Sequence, residues 1–102
     1  EFRLVADEWA DVNAAANLLE ETKTLSLGKL KQRIIAERGE MPDNRAERIA
    51  KCLPEWEDYI KRMCGCRARA DKLRVRMEYF KMRFSEWQSR EANHRHEARL
   101  SR

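Results

Sequence analysis

The chain has 102 residues, a formal net charge of +4 and 39% charged residues, with only three glycines and two prolines. So much charge and so little turn chemistry exclude a β-sandwich and point to long solvated helices. No apolar run reaches the roughly 18 residues a membrane helix needs, and a chain this short and charged has little apolar surface for a private core, which predicts a shared one.

The first predicted element runs over 7–37. Trp9, Val12, Ala16 and Leu19 recur at helical spacing, and Leu27, Leu30 and Ile34 resume the pattern after a polar gap at Lys23. Ala14 to Ala16 favour helix, and Asp7, Glu8 and Asp11 crowd its start, where the helix dipole welcomes acids. Gly28 weakens the middle and Gly39 fits a helix stop. The connector, 38–53, carries a short helix with Ala46, Ile49, Ala50 and Leu53 on one face and Asp43 as its expected N-cap. Pro54 breaks that helix but suits the first turn of the next.

The third segment, 54–90, carries the strongest pattern. With Trp56 at position a of a heptad, the a positions are Trp56, Met63, Ala70, Met77 and Phe84. The d positions are Tyr59, Cys66, Leu73, Phe80 and Trp87. A seam sustained this long is that of a coiled coil. The flanking e and g positions include Arg62, Arg67, Arg69, Arg74, Arg76, Lys81, Arg83 and Arg90, which repel a parallel copy paired through this seam. The residues after the seam, 91–102, form a polar basic tail.

Charge divides along the chain. Residues 1–60 hold nine basic and thirteen acidic side chains, net −4, and residues 61–102 hold thirteen and five, net +8. The acidic first helix is therefore the expected partner of the basic long one, folded back antiparallel. That places Asp7, Glu8 and Asp11 near Arg74 to Arg90 and covers the long helix to about residue 85. The predicted fold is all-α, a single helical domain: a long antiparallel helical hairpin, coiled-coil-like, with a short connecting helix. Val75, Tyr79 and Met82 form a second apolar stripe off the seam, as Leu18 and Leu25 do on the first helix. With Phe80, Phe84 and Trp87 they are the expected interface of a homo-oligomeric bundle.

Three cysteines exclude a closed disulfide framework and fit a reducing, cytoplasmic compartment. Cys64 and Cys66 flank Gly65, but on a helix they diverge by about 200°, so they do not converge on one metal. Cys66 falls on the seam, where a reduced thiol acts as a small hydrophobe. His94 and His96 diverge in the same way. There is no Gly-rich phosphate loop, no H-E-x-x-H, no nucleophile elbow and no C-x-x-C. The expectation is a protein with no catalytic residues, no cofactor, no metal and no small-molecule substrate.

Two function classes remain. In one, Arg67, Arg69, Arg74, Arg76, Lys81, Arg83, Arg90 and Arg95 hold the phosphates of nucleic acid, with Tyr79, Phe80, Phe84 and Trp87 interleaved as stacking rings. In the other, the seam and stripe serve a helical protein-interaction module, an adaptor, chaperone or assembly subunit. The runs PEWEDYIKRM and ADKLRVRMEYFKMRFSEWQSREANHRHEARL resemble small phage and prophage helical proteins. Within them KLRVRMEYF, 72–80, more remotely resembles the UvsY recombination-mediator family. That resemblance implies an oligomeric, non-enzymatic helper that binds single-stranded DNA and assists loading of a recombinase. Carried over by position, it points to Arg74, Arg76, Lys81 and Arg83, and it makes a DNA-transaction accessory the expected role, with the interaction module as the alternative.

Overall fold

The computed structural model describes residues 1–100, which form four helices: α1 (Phe2–Glu21), α2 (Lys23–Arg38), α3 (Asp43–Lys51) and α4 (Pro54–Leu100). The described residues contain no strand. The molecule measures 88 × 21 × 16 Å, with a radius of gyration of 24.4 Å, against about 13 Å for a compact chain of this length. It is a helical hairpin, as the charge division predicts, with α1 antiparallel to the first half of α4.

The core has two parts: a strip between these two helices, and a smaller cluster of Ile34 in α2 with Ala46 and Ala50 in α3. Val5 and Ala16 of α1 are buried, and so are Trp56, Tyr59, Ala70 and Leu73 of α4. Of the ten predicted seam positions, these four are buried, Met63, Cys66, Met77 and Phe80 are half-buried, and Phe84 and Trp87 are exposed. The hairpin is therefore shorter than predicted. α1 begins at Phe2, whose ring meets Phe80 edge-on at 6.2 Å, and from there on α4 runs uncovered. The last two seam positions lie beyond the end of their partner helix.

The predicted first helix is two helices. Thr22 separates them, with φ −92° and ψ 3° and its hydroxyl donating to the Leu18 carbonyl at 2.8 Å. This backbone-directed bond competes with the helical ladder, as threonine hydroxyls do. Tyr59 reaches the same point from α4. Its hydroxyl donates to the Leu19 carbonyl and lies 2.9 Å from the Thr22 hydroxyl. Carbonyls in the last turn of a helix lack intrahelical donors, so a tyrosine from the facing helix supplies one. Trp56 stacks on the Tyr59 ring, centroids 5.8 Å apart, and holds it in place.

Past the break, α2 packs chiefly on α3 and closes the hairpin. Gly39 ends α2 at φ 93°, a conformation other residues avoid, and its N–H bonds the Ile35 carbonyl at 2.8 Å. Asp43 is not the cap of α3: Pro42 occupies that position, and the Asp43 carboxylate pairs instead with Lys31 of α2 at 3.0 Å. Ala46 and Ala50 are fully buried, and Pro54 opens α4 as its residue type predicts. Arg33 of α2 pairs with Glu55 in the first turn of α4. Cys64 is exposed and Cys66 half-buried, consistent with one thiol off the seam and one on it.

Removing only the Tyr59 hydroxyl tests the break. Tyr59→Phe keeps the ring stack but leaves the Leu19 carbonyl without its donor, and should cost about 1–2 kcal/mol in urea unfolding. Trp87→Ala, on the uncovered part of α4, should stay within about 0.5 kcal/mol of the parent.

Candidate functional site

The site-forming element is α4, and α1 divides its basic residues into two sets. Arg67 is held by α1. Its Nε donates to Glu20 Oε1 at 2.9 Å and one Nη to Glu20 Oε2 at 3.0 Å, while Asn13 and Asn17 accept from the guanidinium at 2.9 and 2.6 Å. Asn13, Asn17 and Glu20 lie at successive helical spacings on α1, so a single line of acceptors receives one planar fork. Arg69 pairs with Glu8, and Arg74 lies 3.9 Å from Asp71 of its own helix.

The expected position of the acids changes accordingly. With Phe2 rather than Asp7 as the first helical residue over Phe80, Glu8 falls beside Arg69 instead of the 74–90 stretch. Arg76, Lys81, Arg83, Arg90 and Arg95 are exposed and make no ion pair among the described residues. The eight predicted nucleic-acid contacts thus separate into two engaged by α1, one in a loose pair on its own helix, and five free.

Net charge follows the same division. Residues 1–21 carry six acids and one base, net −5, and residues 61–80 carry seven bases and two acids, net +5. The covered part of the hairpin is balanced. Residues 81–100 carry five bases and three acids, net +2. The projecting arm is basic but not strongly so.

Its apolar content is more distinctive. Phe84 and Trp87 are exposed by 59% and 56%, and their rings stack on each other with centroids 5.9 Å apart. Phe2, Phe80 and Phe84 line an open apolar notch where α1 ends, with Lys81 and Arg83 at its rim. Val75, Tyr79 and Met82 are exposed on another side of α4, so the six expected interface residues do not form one surface. Phe80 belongs to the hairpin edge, Phe84 and Trp87 to the continued seam, and the other three to a separate stripe. Phe2 and the asparagine acceptors were missed by periodicity. The regular spacing of Asn13, Asn17 and Glu20 was their available signal; Phe2 stands outside the predicted helix.

Among the described residues no cluster of three or more His, Cys, Asp or Glu side chains is arranged to hold a metal, and no helix is long and apolar enough to cross a membrane. No protein-family model matches the chain, and neither the curated proteins nor the solved structures contain a match to it.

The Arg67 fork holds the Glu20 carboxyl below the usual glutamate range, chiefly through its hydrogen bonds; desolvation opposes them, and the charge of Arg67 adds a smaller lowering. A lowered folded value stabilises the hairpin at pH above the ordinary glutamate pKa of about 4.3, and that contribution is lost as pH falls through the folded value. Carbon-13 NMR titration should therefore show the Glu20 midpoint below those of solvent-exposed glutamates, and Arg67→Gln should return it toward theirs. An unchanged midpoint in the variant would remove Arg67 as the cause.

Proposed function

We propose that this chain is a non-enzymatic helical interaction module. The hairpin of α1 with the first half of α4 is its support, and the uncovered part of α4 is its binding arm. The observation that carries this reading is the continuation of one seam past the end of its partner. Residues 59–80 of α4 bind α1 through apolar a and d positions flanked by basic ones. Phe84 and Trp87 extend the same pattern with Lys81, Arg83 and Arg90 beside them, and nothing covers them. A surface of this kind takes an amphipathic helix with acidic flanks, chemically like α1, supplied by a protein partner.

A second reading is favoured by the free cations. Arg76, Lys81, Arg83 and Arg90 surround the exposed rings of Tyr79, Phe84 and Trp87, the combination with which single strands are held. This is the role of a DNA-transaction accessory, such as a single-stranded-DNA-binding mediator acting beside a recombinase. It ranks second because Arg67 and Arg69 are engaged by α1 and the carboxylates of the arm offset much of its charge.

Salt separates the two. A fluorescent peptide copying residues 1–21 and a fluorescent single-stranded oligonucleotide are each titrated with the full chain at low and high salt. The first reading predicts peptide binding that survives salt largely intact and is abolished by Phe84→Ala with Trp87→Ala. The second predicts oligonucleotide binding that falls steeply with salt, quenches Trp87 and weakens in Arg83→Ala. Absence of peptide binding at either salt contradicts the first reading.

A further inference from the structure

The face of α4 opposite the seam has its own pattern. Gly65, Ala68, Lys72, Val75, Tyr79 and Met82 recur at alternating spacings of three and four, a stripe on the far side of the helix from α1. All six are exposed, the three largest apolar ones by 56–61%. Gly65 has no use inside the chain: a Cβ built there meets nothing within 4 Å, and its φ is not one that requires glycine. In a helix interior it costs about 1 kcal/mol relative to alanine. A small residue there lets another helix approach closely.

The rows beside this stripe differ in sign. On one side stand Glu57, Asp71 and Glu78; on the other stand Arg62, Arg69, Arg76, Arg83 and Arg90, an arginine in every heptad. We propose that this face pairs with the same face of a second copy, the two α4 helices running parallel and in register. In a parallel pair each position before the stripe faces the position five residues later on the other helix. That sets Glu57 against Arg62 of the partner subunit, Asp71 against Arg76 of the partner subunit, and Glu78 against Arg83 of the partner subunit. Every acid of the row meets an arginine. An antiparallel pair sets acids against acids and arginines against arginines, which is unfavourable.

The chain leaves most of these charges available; Glu57 is the exception, paired with Lys61 of its own helix at 3.0 Å. Arg76, Arg83 and Glu78 make no ion pair among the described residues, and Asp71 has only the loose 3.9 Å contact to Arg74. Lys72 is the one cation within the stripe. A single polar residue at such a position holds two parallel helices in register at some cost in stability. The seam facing α1 carries bases on both its flanks and offers no such complement, so the outward stripe is the self-complementary face. Its apolar residues are not those of the Phe84–Trp87 seam, although the arginine row with Arg83 and Arg90 lies between the two faces.

Two measurements test it on the full chain. Sedimentation at high-micromolar concentration should show a dimer. Glu78→Arg alone and Arg83→Glu alone should each raise its dissociation constant by about tenfold at low salt, because two pairs per dimer become repulsive. Glu78→Arg combined with Arg83→Glu should restore association. Residues 78 and 83 are not neighbours on one helix, so rescue requires a contact between copies. Orientation is read by oxidative crosslinking in a background of Cys52→Ser, Cys64→Ser and Cys66→Ala. Ala68→Cys and Met82→Cys should each crosslink to themselves, and a mixture of the two should give no 68–82 product. A monomer throughout, a dimer that the double reversal fails to rescue, or a 68–82 product without self-crosslinks would each overturn the proposal.

Discussion

The structure depends on a mismatch of length between two complementary helices. α1 has 20 residues and α4 has 47, so α1 spans about 30 Å of a helix about 70 Å long. Within that overlap apolar surface and charge are both matched. Val5 and Ala16 meet a strip that buries Trp56, Tyr59, Ala70 and Leu73, and a segment of net −5 lies on one of net +5. Beyond the overlap α4 stays helical without a partner and presents both its apolar seam and its free cations. The core, the position of the arm and the division of the arginines all follow from where α1 ends.

The other end of the overlap is set by Tyr59. Its hydroxyl meets the last-turn carbonyl of α1 at the point where Thr22 turns the chain, so the boundary of the long contact is a hydrogen-bonded one. α2 is thereby free to leave α4 and take α3 as its neighbour. The closing turns are then tied by Lys31 to Asp43 and Arg33 to Glu55, pairs exposed enough that each contributes little alone. Alignment of α1 on α4 rests instead on the apolar strip and on the Arg67 fork, where one planar group reads three side chains of α1.

Much of this was legible in the sequence. Helical class, the antiparallel return, Gly39 as a stop, Pro54 as a start and the seam from Trp56 onward follow from periodicity and residue chemistry that act locally. The extent of the seam does not. A heptad pattern records that Phe84 and Trp87 are suited to burial, but not whether the facing helix is long enough to reach them. The break at Thr22 was hidden because no glycine or proline marks it; a hydroxyl back-bond and a tyrosine 37 residues away produce it. Asp43 was misplaced by one position because its carboxylate is used across to α2 rather than on its own helix. At the candidate site all eight cations are on α4 as read, but which are free was a matter of register, and a shift of the helix start by five residues changed the partners of Glu8.

If α1 is what shields α4, the protection of α4 ends where α1 ends. Amide hydrogen exchange along α4 tests it most directly, since exchange reports local opening residue by residue. Strong protection is expected from Trp56 to about Phe80, with a steep fall from Lys81 toward Leu100. Protection that continues undiminished to the end of α4 in the isolated chain, or that is already weak at Ala70 and Leu73, would contradict it.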